Sequence, residues 1–388
     1  MPPLGLKLPQ VAAYRRRRGV SGPFVPDLPI WRAARAAVAA GERNARILCI
    51  GDSTTAGHGA YAAGMGDNNK AGAWPTQLAQ IINTRGGVAS WSSITGNNNA
   101  ADSRLYDSRV TFPALQGWAF STTSGVNGST LGGYHTMASG YNPPSKYNFA
   151  PLNACDTFEV YNPKAGGNAR GWILSVNDGA DLATVSNMRT PSPPGEFEKY
   201  TLTTAPGANV LNIRAQNTEA TYLAGIIAYN SAIKEISVLN AGWSGAKASD
   251  LNNGSTYAYG PVNAISIYDP DLVIINIGIN DANQASPTAT ATFSSHVQAV
   301  ITAAQATGAD VVLMAPTPIG SSYAANLDTL SVAVLALGVT NEVPVIDLRT
   351  RFVDYVIANG AGWMRDTLHP NVSGYAQIAT AVADLIYS

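Results

Sequence analysis

The sequence predicts an α/β protein built on a five-stranded parallel sheet, with an antiparallel β-sandwich inserted into it. Three observations carry that expectation. Before about residue 86 and after about residue 235, short apolar runs alternate with helix-period segments, as in a parallel sheet covered on both faces. Between these parts the chain is rich in Gly, Asn, Ser and Thr, with short β-branched runs separated by turn signals. The first apolar run, Ile47-Leu48-Cys49-Ile50, stops abruptly in Gly51-Asp52-Ser53. That is the kind of strand end where open α/β sheets place their ligands.

In chain order, residues 1–30 are rich in Pro, Gly and Arg, show no sustained period and read as an extended arm. Residues 31–86 and 235–388 form the α/β domain, and 87–234 the inserted β domain. Residues 31–40 are Ala-rich and helix-prone. After Ser53 comes a Gly-rich loop reaching Gly72. A helix then runs from Trp74 to about Asn83, its apolar residues Trp74, Leu78, Ile81 and Ile82 at helical spacing. Strand-like runs in the insert include 157–161, 172–176, 200–203 and 210–214. Asn177-Asp178-Gly179 and Ala205-Pro206-Gly207 read as turns between them. The α/β pattern resumes with strands at 235–240, 271–278, 309–315 and 344–347, and helices at 290–307, 326–337 and 371–386. No internal repeat has a fixed period.

Composition narrows the function. Charged residues make up 13% of the 388, and the net charge is −1. No broad positive field would steer such a chain to phosphates, so a nucleic-acid partner is not expected. A surface covered by neutral hydroxyl and amide groups suits carbohydrate or protein partners. No run is long and apolar enough to span a membrane. The N-terminus lacks the apolar stretch of a secretory signal, and localisation stays open. Arg15-Arg16-Arg17-Arg18 is a dense basic run, read as a solvated arm or a docking arm of a larger assembly. The 2 cysteines, Cys49 and Cys155, read as buried thiols. No His or Cys cluster has metal-ligand spacing, so neither a metal nor another cofactor is expected.

Ser53 is the first hydroxyl beyond the strand end, placed as a nucleophile would be. Serine needs a base at neutral pH, and a neutral imidazole suits the task. There are 4 histidines. His296 falls within a helix and His135 within the insert. His58, five residues past Ser53, stands on the rim as a substrate contact or a loop residue. His369 lies in Asp366-Thr367-Leu368-His369-Pro370-Asn371, before the closing helix, where Pro370 suits a first helical turn. Asp366 can hold one ring nitrogen of His369 while the other takes the serine proton. Candidate oxyanion donors end three strands: the Ser53 N–H, the Gly245 N–H and the Asn280 side-chain amide. Trp243, beside Gly245, is a candidate substrate contact. Asp52 and Asp281 lack the Asp-x-x-His spacing and read as groups that fix loops.

Gly51-Asp52-Ser53, Asn240-x-Gly242-x-Ser244-Gly245, Gly278-x-Asn280-Asp281 and Asp366-x-x-His369-Pro370-Asn371 occur in the order of the SGNH (GDSL-type) hydrolase family. The chain resembles that family over four separated blocks and most of its α/β part. The resemblance implies a flavodoxin-like sheet and ester hydrolysis through an acyl-enzyme. Carried over by position, Ser53 is nucleophile and oxyanion donor, Gly245 and Asn280 are further donors, His369 is the base and Asp366 its orienter. Thr54 departs from the family's usual Leu. No Gly-x-Ser-x-Gly elbow of the unrelated α/β-hydrolase fold occurs. The insert resembles carbohydrate-binding-like sandwiches found beside SGNH esterases, including phage tail proteins.

The expected activity is removal of O-acetyl groups from a polysaccharide. A lipase or lysophospholipase of the same family, and a glycan-binding virion protein with a vestigial site, are the alternatives. A homo-oligomer or a place in a phage particle is left open.

Overall fold

In the computed structural model, the described residues are 27–60, 70–95, 107–111, 118–121, 131–132, 134–137, 146–164, 170–187, 195–216, 221–253 and 257–387. The expected arm, with Arg15–Arg18, and the middle of the Gly-rich loop after Ser53 lie outside them.

The five expected strands form one parallel sheet. They are Ala45–Gly51, Ile236–Gly242, Leu272–Asn276, Asp310–Ala315 and Val345–Asp347. Numbered in chain order, their spatial order is 2-1-3-4-5, the flavodoxin-like arrangement the family resemblance implied. A sixth strand, Ala89–Ser90, extends the edge by pairing parallel with Ile236-Ser237. Two residues are too few to leave a period in the sequence. The first residues assigned to the insert therefore still belong to the sheet.

Alternation along each strand sorts side chains to two apolar layers. Leu48, Ile50, Leu239, Val273, Ile275, Val311 and Leu313 share one core with the helices Pro261–Tyr268, Thr290–Ala306 and Ala324–Thr340. Ile47, Cys49, Val238, Ile274, Val312 and Met314 share the other with Pro29–Ala39, Trp74–Thr84 and Val372–Ile386. These strands are buried on both faces, which is why they read as continuous apolar runs. At roughly 1.5–3 kcal/mol for each fully buried Val, Leu or Ile side chain, these layers dominate the stability of the α/β part.

Among the described residues, the middle of the chain forms three antiparallel sheets, of five, four and three strands. The five-stranded and four-stranded sheets share one core, which includes Phe149, Trp172, Leu174, Leu211 and Ile213 from the first and Phe158, Val160 and Ile226 from the second. The expected Asn177-Asp178-Gly179 turn is present. Asn177 and Asp178 both have positive φ, and Gly179 N–H donates to the Val176 carbonyl. The expected turn at Ala205-Pro206-Gly207 is not: the strand Glu196–Gly207 runs through it, with its pairing to Cys155–Lys164 shifting between Thr203 and Gly207. Proline cannot donate to a ladder, so the strand bulges there rather than reversing.

A buried ion pair ties the antiparallel part to the parallel sheet. Arg46, on the first strand, donates to Glu159 at 2.7 Å and to the Tyr268 carbonyl at 2.9 Å. Glu159 also accepts from the Tyr161 hydroxyl at 2.6 Å. The Arg46 and Glu159 side chains are 12% and 5% exposed.

Candidate active site

Strand register brings the candidate residues to one end of the sheet. Gly51 is opposite Gly242 on one side and Asn276 on the other, so the three strands finish level. Each then turns into a loop carrying one of the predicted groups. The Ala45–Gly51 strand lies between its second and third neighbours in chain order, the switch point where α/β sheets open a crevice.

Ser53 begins a four-residue helix, Ser53–Ala56. Two glycines let that helix sit tight against the strands. A Cβ on Gly51 would lie 2.2 Å from the Asn276 carbonyl, and one on Gly242 would lie 2.2 Å from the Ala56 nitrogen. Asp52 caps the helix, its Oδ1 accepting from the Thr54 N–H at 2.9 Å and the Thr54 hydroxyl at 2.8 Å. Asn276 in turn donates to the Thr54 hydroxyl at 3.1 Å. Thr54, the departure from the family's usual Leu, is thus a hydrogen-bonded strut between Asp52 and the neighbouring strand. Sequence reasoning missed Asn276, which lies inside an apolar strand with no local signal marking it.

The Ser53 hydroxyl lies 3.0 Å from His369 Nε2. His369 Nδ1 lies 2.9 Å from Asp366 Oδ2 and 3.1 Å from Oδ1. Asp366 Oδ1 also accepts from the backbone N–H groups of Leu368 and His369, at 2.7 and 2.8 Å, so the short Asp-x-x-His spacing closes its own loop. Although burial pushes the Asp366 carboxyl up, the His369 ring, the Leu368 N–H and the His369 charge together hold it well below the usual carboxylate range. An ionised Asp366 favours the tautomer with hydrogen on Nδ1 and a lone pair on Nε2, facing Ser53. The following helix begins at Val372, with Asn371 as its cap. Pro370 therefore precedes the cap rather than occupying the first turn.

The loops carrying Gly245 and Asn280 are stitched together. Asn280 Nδ2 donates to the Ala246 carbonyl at 2.9 Å, and the Ala248 N–H donates to Asp281 at 2.9 Å. An amide group has two hydrogens, so the bond to Ala246 orients Asn280 and leaves one for another acceptor. Gly245 is exposed with φ +80°, a conformation glycine adopts without strain. Trp243 is 7% exposed and belongs to the apolar core, so it offers substrate little surface. His58 instead packs on His369: its ring centroid is 4.1 Å from that of His369. His296 lies on its helix, 3.3 Å from Asn252 Nδ2. His135 pairs with Phe120 and Leu223 in the three-stranded sheet.

Asp52 is fully buried, and burial raises its carboxyl to about 6 against the pull of the Thr54 bonds and the His369 charge, with Asp281 adding to the rise. A raised acid binds its proton more tightly in the folded state. Its contribution to stability is therefore present at low pH and is lost as pH rises from about 4 through about 6. Asp52→Asn keeps an acceptor for Thr54 without the charge. The variant is expected to gain on the wild type by about 3 kcal/mol across that window and to hold the gain above it. Urea unfolding at steps between about pH 4 and 7 checks this, and a difference independent of pH overturns it.

Residues 202–377 match the GDSL-like lipase/acylhydrolase family. The match includes Gly245, Asn280, Asp366 and His369, while Ser53 lies before it, across the antiparallel part. Among solved structures, a peptidoglycan O-acetylesterase is similar over 92% of this chain and 94% of its own, at 18% identity and a TM-score of 0.65. An acetyl xylan esterase is similar over 38% of this chain and 79% of its own, at 26% identity and a TM-score of 0.34. A lipase/acylhydrolase from Enterococcus faecalis covers 39% of this chain and 75% of its own, at 25% identity and a TM-score of 0.32. The first shares the overall fold. No curated protein matches the chain.

Proposed function

Because the chain is a hydrolase of the SGNH (GDSL-type) family, we propose that it is a serine esterase removing O-acetyl groups from a polysaccharide through Ser53, His369 and Asp366. The observation that carries the reading is the unbroken line of hydrogen-bond distances from Ser53 Oγ through His369 to Asp366 at the switch point of the sheet.

The chemistry follows from that line. His369 Nε2 takes the hydroxyl proton as Ser53 Oγ attacks the ester carbonyl. Asp366 holds the imidazolium that forms. The Ser53 and Gly245 N–H groups and the free hydrogen of the Asn280 amide receive the charge on the carbonyl oxygen, each donor giving on the order of 100- to 1,000-fold. His369 returns the proton to the leaving sugar hydroxyl. Water, activated by the same imidazole, then releases acetate and regenerates Ser53.

The polysaccharide and the acetyl group rest on the peptidoglycan O-acetylesterase that shares the fold across nearly the whole chain. The antiparallel part is proposed as a glycan-contacting domain at residues 87–234. A second reading, hydrolysis of longer-chain lipid esters, is favoured by the exposed Val353, Val356 and Ile357 on the segment that precedes the His369 loop in the chain. There the Trp363 N–H donates to the Ala358 carbonyl and the Gly320 N–H to the Thr367 carbonyl. Turnover of nitrophenyl esters of increasing acyl length separates the two. Acetate is expected to be the best acyl group, with acetate released from O-acetylated polymers such as peptidoglycan. A preference for long chains, with no acetate release from any acetylated polymer, overturns the proposal.

A further inference from the structure

His58 and the Asp366–His369 pair come from loops more than 300 residues apart, yet the fold holds them together. The Tyr375 hydroxyl donates to the His58 carbonyl, and the His58 N–H donates to the Ser53 carbonyl at 2.9 Å. Gly59 presses on the base's loop: a Cβ there would lie 2.8 Å from the Pro370 carbonyl and 3.1 Å from His369 Cβ. As a result, His58, His369 and Asp366 can each present one nitrogen or oxygen atom, all within 4.8 Å of one another. We propose that these three residues form a binding site for a divalent transition-metal ion, Zn²⁺ fitting best, and that its occupation switches off the base.

The donor set decides which ions fit. Two imidazoles and one carboxylate suit Zn²⁺ and its neighbours, whereas Mg²⁺ and Ca²⁺ want oxygen ligands. Three protein ligands leave a fourth tetrahedral position for water. With metal–ligand bonds of about 2.0–2.1 Å, donors around a tetrahedral ion stand about 3.3–3.4 Å apart. His369 Nδ1 and Asp366 Oδ2, at 2.9 Å, are already near that separation. A small movement of the His58 ring completes the set.

The consequence for catalysis follows from proton placement. A neutral imidazole carries one hydrogen. While Asp366 holds it on Nδ1, the Nε2 lone pair faces Ser53 at 3.0 Å. A metal on Nδ1 takes the lone pair there and leaves the hydrogen on Nε2. His369 then donates to the Ser53 hydroxyl instead of accepting its proton, and the serine is no longer activated. No proton leaves the ring and no covalent bond breaks beyond the tautomer change. The inhibitory effect rests on the esterase reading above; metal binding itself does not.

Co²⁺ serves as the optical probe, because a tetrahedral nitrogen-and-oxygen site gives it intense visible absorption. Titration of the full chain is expected to show one site. His58→Phe keeps a ring against His369 but removes the ligand nitrogen. It should weaken Co²⁺ binding by at least the roughly 10- to 100-fold that loss of a supporting partner costs a metal site. Asp366→Asn should weaken it as well, and Mg²⁺ should not compete. In the esterase assay, Zn²⁺ should inhibit the wild type, and the inhibition constant should rise by a similar factor in His58→Phe relative to that variant's own metal-free rate. Absence of the cobalt spectrum, or the same cobalt affinity in wild type and His58→Phe, overturns the site. Cobalt binding that depends on His58 in a protein with no ester turnover upholds the site and overturns the esterase assignment instead.

Discussion

Ser53→Ala is expected to lower turnover of an acetyl ester by about 10⁴- to 10⁶-fold while leaving the fold intact. The hydroxyl is placed to attack and to be activated, 3.0 Å from His369 Nε2, and no apolar packing depends on it. His369→Ala should lose a similar factor. The double variant should lose little more than either alone, because nucleophile and base act as one unit. Asp366→Asn should lose about 10⁴-fold, since an amide no longer favours the tautomer with hydrogen on Nδ1. Single-turnover rates on a nitrophenyl acetate measure all four variants, with circular dichroism as the check on folding. Wild-type turnover in Ser53→Ala would sink the assignment of the nucleophile. Additive losses in the double variant would sink the coupling between Ser53 and His369.

Arg46→Ala is expected to destabilise the protein by about 3–5 kcal/mol. The guanidinium lies between the parallel sheet and the antiparallel part, bonded to Glu159 at 2.7 Å and to the Tyr268 carbonyl at 2.9 Å. Its removal leaves a carboxylate that is 5% exposed with the Tyr161 hydroxyl at 2.6 Å, and with Lys199 and the Tyr229 hydroxyl only at 3.4 Å. The penalty comes from that stranded charge rather than from the worth of the pair itself. Replacing both partners, Arg46→Met with Glu159→Leu, should therefore recover much of the loss. Urea unfolding of the wild type, the single variant and the double variant tests this. A loss below about 1 kcal/mol in Arg46→Ala, the scale of a surface pair, would mean that water reaches the junction.

The sites differ in how far the sequence foretold them. The line from Ser53 to Asp366 was legible because each part carries a local signal. A strand end places the serine, and the loop closed by Asp366 onto the Leu368 and His369 N–H groups needs only the spacing Asp-x-x-His. The parallel strands were legible because burial on both faces makes them continuous apolar runs. The bulge at Pro206 was misread as a turn, since a proline next to a glycine marks both and only the partner strand distinguishes them.

By itself, then, the sequence determined the succession of strands and helices and the local signals that set Ser53 at a strand end and Asp366 three residues before His369. Each of these depends on residues within a few positions of one another. The tertiary structure alone decided that His58 lies against His369, that Asn276 holds Thr54, that Arg46 meets Glu159, and that Trp243 faces the core and not the cleft. These contacts join segments from 113 positions apart, for Arg46 and Glu159, to more than 300, for His58 and His369. Contacts of that kind depend on strand order and register, because a slip of one residue turns every side chain to the opposite face.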